Sequence, residues 1–248
     1  GGFSIPQVRL TDRGLEHDRR WMLVDPQGRF LSQREYTAMA CLHCAPHGDG
    51  FQVTDTRNGN TVGVPWSLVD GERINAKVWD DEVELILGNA SMHRWFSEAL
   101  QRPVRLAYMP DSTVRPADSR YADVRVALND GFPCLIISQA SLDELNMRLD
   151  MPVPMERFRP NLVITGVRPF QEDDWKGGTI GTERFAIVKP CARCVIVNTD
   201  QRNGARGLEP LRTLATYRSV GNKVCFGMNA TFAGHGTLHV GDLLHVSA

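Results

Sequence analysis

The sequence predicts a mainly β protein with a few short helices, arranged as two associated β-barrel-like domains. Short runs of β-branched and aromatic residues recur along the 248-residue chain, many bounded by turn residues such as Asp25-Pro26-Gln27-Gly28 and Asn58-Gly59. Helical spacing appears only in short stretches, near residues 91–100, 141–149 and 209–218. The chain has no GxxxxGK[ST] loop, no GxGxxG after a strand, no HExxH and no GxSxG. Nucleotide hydrolysis, a doubly wound dinucleotide fold, zincin proteolysis and the α/β-hydrolase mechanism all lose support.

In chain order, residues 3–87 alternate strands and turns. Trp21-Met22-Leu23-Val24 and Arg29-Phe30-Leu31 flank the Asp25–Gly28 turn as a hairpin, and Phe51-Gln52-Val53 pairs across Asn58-Gly59 toward Val62. Gly14-Leu15-Glu16-His17-Asp18-Arg19-Arg20 precedes the first hairpin and, from charge alone, is a solvated strand start. Met92, Trp95, Phe96 and Ala99 recur at helical spacing behind Ser91, as a core stripe. Arg102-Pro103, Met109-Pro110 and Arg115-Pro116 then punctuate the chain, which places one domain at 1–112 and the other at 113–248. Asp118–Asp123 is polar, either a lid or a linker.

In the second half, Asn129-Asp130-Gly131 is a turn whose backbone amides can face an anion, followed by an apolar strand from Cys134 to Ile137. Ser141-Leu142-Asp143-Glu144 has the form of a capping box opening a helix with Leu142, Leu145 and Leu149 inward. Arg157-Phe158-Arg159-Pro160-Asn161 leads into the strand 162–165. Arginine presents a planar fork that grips phosphate, and asparagine offers both donor and acceptor; the alternative is a surface ion pair with Glu156. Residues 209–218 are predicted helical, with Leu211, Leu214 and Ala215 on one side. Leu238–Val240 and Leu243–Val246 flank Gly241-Asp242 as a closing hairpin with exposed His239 and His245.

The chemistry centres on Lys189-Pro190-Cys191-Ala192-Arg193-Cys194. Ile187-Val188 and Val195-Ile196-Val197 are predicted as buried strand, with Pro190 marking a break between them. On a straight strand Cys191 and Cys194 face opposite sides; in a tight turn they converge. Arg193 favours thiolate, the form that ligates soft metals or attacks electrophiles. The second CxxC, Cys41-Leu42-His43-Cys44, could complete a four-thiolate zinc site, although small core cysteines explain it as well.

A net charge of -1 gives no global attraction to nucleic acid or an anionic membrane, so neither is an expected partner. Apolar runs such as Leu135-Ile136-Ile137 fall far short of the roughly 18 residues a membrane helix needs. Six cysteines are too sparse for a disulfide scaffold and suit a reducing compartment, with the cytoplasm as the expected location. The chain opens on Gly1-Gly2 rather than Met, so an upstream segment is expected before it.

With Thr199-Asp200 downstream, the Lys189–Cys194 motif resembles the MOSC family. Gly14-Leu15 through Asp18-Arg19 and Trp21, Arg157–Asn161 and Glu209-Pro210-Leu211 fit the same resemblance, which covers nearly the whole chain. Within that family the chain resembles the bacterial YcbX-type proteins and the mitochondrial amidoxime reducing component. The resemblance implies a MOSC N-terminal barrel followed by a MOSC barrel and a molybdenum cofactor (molybdopterin-bound molybdenum) with Cys194 as the metal's thiolate ligand. It further implies Arg19, Arg159 and Asn161 on the pterin and its phosphate, backbone from Asp130, Gly131 and Ala192 nearby, and Cys191 as a supporting residue. No pyridoxal phosphate is expected. The implied reaction is two-electron reduction of N-hydroxylated small molecules. Relatives carry a Lys-Ser strand upstream of the segment that begins here at Gly1, and many YcbX-type proteins continue into an iron-sulfur ferredoxin domain beyond the equivalent of Ala248. Electrons are therefore expected from a separate redox protein. Sulfur carriage as a Cys194 persulfide and a zinc-stapled barrel are the alternatives.

Overall fold

The turn-punctuated runs form strands, and in a computed structural model describing residues 2–247 they curl into two half-barrel sheet systems with a few short helices. The mainly β fold follows the sequence reading. In the first half, Trp21–Val24, Arg105–Tyr108, Asp81–Leu87 and Arg73–Val78 lie side by side in that order, all antiparallel. Leu42–His47, Gly50–Asp55 and Thr61–Pro65 form a second antiparallel sheet, turning at Asn58-Gly59 as expected. The Asp25–Gly28 turn also forms, yet beyond it the pairing is limited to a Val24–Phe30 bridge, and the returning segment also bonds to Lys77 through Gly28 and Phe30.

Helix α1 (Ala90–Leu100) is capped by Asn89, whose side chain accepts from the Met92 amide, rather than by Ser91. It buries Met92 and Phe96 against Leu23, Val53 and Leu106. Beside them His93 Nδ1 accepts from the Leu106 amide at 3.1 Å, which requires that nitrogen to be unprotonated. Burial, then Arg105, lowers the His93 pKa below its ordinary 6.5. Below that value the unfolded chain binds more protons than the folded one, so stability falls as pH drops through it. Melting temperature is expected to fall from about pH 7 to about pH 5 more steeply than in His93→Gln, with the ring titrating below its usual midpoint by NMR. Parallel profiles for the two proteins would contradict this.

The second half is built on a seven-stranded sheet. Cys134–Ser138 pairs parallel with Leu162–Ile164 and antiparallel with Lys223–Phe232, followed outward by Glu183–Ala192, Gly177–Ile180 and Leu244–Ser247. Every residue of Cys134–Ser138 is buried. Ile137 joins Phe158, Leu145, Leu214 and Phe226 in one core, and its neighbour Ile136 joins Leu10, Trp175, Phe185 and Leu238 in another. Burial on both faces is why this strand is a continuous apolar run rather than an alternating one.

Four local expectations are corrected. Residues 238–246 are not a hairpin: Thr237–His239 pairs with Gln7–Arg9, and Leu244–Ser247 with Gly177–Ile180. Leu238 is buried beside Leu10, and that burial outweighs a local turn. Helix α2 (Gln139–Asn146) starts at Ser138, whose hydroxyl accepts from the Ser141 amide; Ser141 instead donates its hydroxyl to Glu172 at 2.7 Å. Val195–Asn198 is a 3-10 turn with Val195 exposed, since three apolar residues suit a buried helical turn as well as a strand. The helix predicted over 209–218 shrinks to α3 (Leu211–Ala215), ending in turns.

Pairing of Gln7–Thr11 with Thr237–His239 ties the chain's first strand to the second half. Gly14, at φ +102°, lets the following loop press on that sheet: a Cβ there would stand 2.7 Å from the Pro133 carbonyl oxygen. Close approach at Gly14 delivers Asp18 and Arg19 to the start of the Cys134 strand.

Candidate functional site

The charged cluster before Trp21 is no solvated strand start. Arg20 is buried and donates to the Met109 carbonyl and, at 2.8 Å, to Asp111. The Asp18 carboxylate accepts from Arg19 and, at 2.9 Å, from Asn161 Nδ2. Arg19 also donates to the Arg159 carbonyl at 3.2 Å, and its own carbonyl accepts from the Leu128 amide. Asn161 is spent on both sides, because its Oδ1 accepts from the Leu135 amide at 3.0 Å. Asp18, Arg19, Arg159 and Asn161 thus meet across the seam between the two halves.

Arg19 (φ 49°) and Arg159 (φ 54°) both hold left-handed backbone, a conformation that side chains other than glycine adopt at a cost. Burial works against the Arg19 charge, but Asp18 outweighs it and raises its pKa. For Arg159, burial and then the Arg19 charge lower the pKa. Among the described residues the Arg159 guanidinium has no hydrogen-bond or ion-pair partner of its own. Asp18 is thus taken up by Arg19, and the Arg159 guanidinium beside it is left free to meet an anion.

Asp130 bears electrostatically on both arginines and is held from the first half by Arg34 Nη2 at 3.0 Å and Trp79 Nε1 at 3.3 Å. Gly131 beside it faces open space.

The cysteine loop leaves the strand Glu183–Ala192, which runs through Pro190 and accommodates it by register shifts on either side. No break occurs at Pro190. Cys191 is half-buried against the core containing Phe158, and its sulfur accepts from Arg193 Nη1 at 3.1 Å. The other end of Arg193 donates to the Phe158 carbonyl at 2.6 Å, clamping the loop to the segment that carries Arg159. Cys194 opens the 3-10 turn and lines an open groove of about 620 Å³ with Ala192, Leu208, Leu211 and Val224. Arg157 pairs with Asp200 at 3.1 Å rather than with Glu156, bracing the far end of that turn.

Cys41 and Cys44 lie in the first half, one buried and one half-buried, and all six cysteines are free. Among the described residues no group of three or more His, Cys, Asp or Glu is placed to hold a metal ion, so the two CxxC pairs do not form a zinc site. Burial pushes the Cys134 and Cys225 thiols up, which keeps them protonated.

The structure thus gathers Arg19, Arg159, Asn161 and Asp130, with Gly131 alongside, and links Ala192 and Cys194 to them through Arg193. Sequence reasoning did not single out Asp18 as the shared acceptor, Arg193 as the clamp, or Arg34 and Trp79 as the residues holding Asp130. Asp18 had a signal in its place beside Arg19, and Arg193 in its place between the two cysteines; the contacts of Arg34 and Trp79 with Asp130 join residues remote in the chain.

Two strand-built halves with an arginine-rich polar seam, and a cysteine loop clamped by Arg193 to the segment that carries Arg159, define a two-barrel protein. The chain belongs to the MOSC family: residues 1–103 match the MOSC N-terminal beta barrel domain and residues 123–245 the MOSC domain. It is 32% identical to a molybdenum cofactor sulfurase of Oryza sativa subsp. japonica over 99% of this chain and 34% of that protein. It is 28% identical to mitochondrial amidoxime reducing component 2 of Rattus norvegicus over 97% of this chain and 78% of that protein. Mitochondrial amidoxime-reducing component 1 of Mus musculus is 26% identical over 99% of this chain and 78% of its own length. The chain spans about a third of the sulfurases it matches. Among the described residues no helix is long and apolar enough to cross a membrane.

Proposed function

We propose that the chain holds a molybdenum cofactor across this seam and reduces N-hydroxylated compounds with electrons from a separate redox protein. The observation that carries this reading is the unpartnered Arg159 guanidinium, set beside Arg19 in left-handed backbone. A phosphate-bearing cofactor supplies the anion that such a pair calls for. Similarity to the amidoxime reducing components supports the reaction class, and similarity to the sulfurases supports the cofactor.

Each residue has a defined task. Cys194 offers the metal a thiolate, the ligand type that soft centres prefer. Arg159 and Arg19 grip the phosphate, Asp18 and Asn161 hold Arg19 in place, and backbone of Asp130, Gly131 and Ala192 lies alongside the pterin. Cys191 and Arg193 brace the loop. When bound, the cofactor supplies a metal that accepts and delivers two electrons; the protein supplies position and charge. The free cysteines are in keeping with a cytoplasmic protein.

Elemental analysis and oxidised-pterin fluorescence on protein from a host that makes molybdenum cofactor test this directly. Near one molybdenum and one pterin per chain, with turnover of benzamidoxime, is the expected result. Zinc without pterin would overturn it. The sulfurase relatives favour a second reading, sulfur carriage on Cys194, which predicts the mass of one added sulfur atom on the intact chain and no reductase turnover.

A further inference from the structure

Beside Asp130 the first half forms a cavity of about 300 Å³, at the lower end of the range for small-molecule sites. Its walls include Arg29, Phe30, Arg34, Glu35, Lys77 and Trp79. Arg29 is paired with Glu35 at 2.7 Å and Arg34 with Asp130 at 3.0 Å, whereas the Lys77 ammonium has no ion-pair partner among the described residues. The cavity therefore carries an excess positive charge on a chain whose net charge is -1.

Its aromatic walls are built with unusual backbone. Trp79 and Asp80 are the two central residues of the hairpin joining Arg73–Val78 to Asp81–Leu87, and Trp79 sits at φ 58°. A first turn residue with positive φ is ordinarily glycine, so a tryptophan there carries strain. That strain places the indole edge-on to Phe30 at 4.8 Å and under the Arg34 guanidinium at 4.3 Å, with its nitrogen donating to Asp130 at 3.3 Å. A flat aromatic surface, a fixed guanidinium and an uncompensated ammonium are thereby joined to the turn that borders the seam site.

We propose that this cavity is a substrate subsite for a flat organic anion, an aromatic ring bearing a carboxylate or phosphate, and that the reductase favours N-hydroxylated compounds carrying such a group. The ring lies along Trp79 and Phe30 while the anion meets Lys77. The substrate preference rests on the reductase reading; the binding itself does not.

The experiment compares kcat/KM for para-carboxybenzamidoxime and benzamidoxime in the cofactor-loaded wild type and in Lys77→Glu. Wild type is expected to favour the carboxylated compound, and the ratio is expected to fall roughly tenfold or more in Lys77→Glu, because a charge-assisted contact becomes a repulsion. Equal ratios in the two proteins would overturn the inference. Tryptophan fluorescence titration with para-carboxybenzamidoxime separates this from the reductase reading. Saturable quenching that disappears in Trp79→Phe and weakens in Lys77→Glu supports the subsite even when neither compound turns over. Quenching that never saturates, or that persists unchanged in Trp79→Phe, refutes it.

Discussion

Cys194→Ala protein from a host that makes molybdenum cofactor is expected to fold normally yet retain neither molybdenum nor pterin, with amidoxime reduction down at least about a hundredfold. Cys194 is half-buried at the start of a 3-10 turn and carries no core packing of its own, so its truncation is expected to change stability by less than about 1 kcal/mol. Cys191→Ala is the control. Its sulfur packs on the core and accepts from Arg193, so the change loosens the clamp to Phe158 without removing the proposed metal ligand. Partial cofactor content is expected from Cys191→Ala and none from Cys194→Ala; a fully active Cys194→Ala protein would refute the role assigned to this thiolate. Metal and pterin content are measured before turnover, so cofactor loss is distinguished from slower reduction by a loaded protein.

Much of the fold was legible because turn chemistry is local. Asn58-Gly59 is flanked by two short strand-forming runs close enough for the turn to set their register, and they pair as the turn dictates. Where a strand's partner is remote, local pattern misleads: residues 238–246 look like a hairpin, but the pairings with Gln7–Arg9 and Gly177–Ile180 win. Ser141-x-x-Glu144 fits a capping box, yet the apolar strand ends one turn earlier and Ser138 takes the cap. At the site, Arg159 and Asn161 stand out because a fork and an amide fall in one short segment. Their arrangement could not be read in the same way. Positive φ at two arginines leaves no compositional trace, since glycine is the residue that ordinarily announces it. Asp18 and Asn161 are 143 residues apart and meet only because Gly14 allows its loop to approach Pro133.

Phe158→Ala is expected to carry the largest cost in stability, about 3–5 kcal/mol, seen as a fall in melting temperature on the order of 10 °C. The ring is fully buried and packs on Phe226 at 4.5 Å between centroids, with the Arg193 guanidinium 5.5 Å from its own centroid. Truncation removes one wall of the core shared by Ile137, Leu145 and Leu214, and sheet on one side and helices on the other limit collapse into the space. The site is affected through the backbone. Phe158 lies next to Arg159, and its carbonyl receives Arg193, so a Phe158 that no longer seats firmly releases the phosphate-facing arginine and the cysteine loop together. Phe158→Leu separates the two effects: it refills most of the volume, is expected to cost less than about 1.5 kcal/mol, and restores cofactor content along with stability. Urea unfolding measures the first quantity and pterin fluorescence the second. A Phe158→Ala protein as stable as wild type would show that this core does not anchor the site, and normal stability in Phe158→Leu with lost cofactor would assign the ring a direct part in binding.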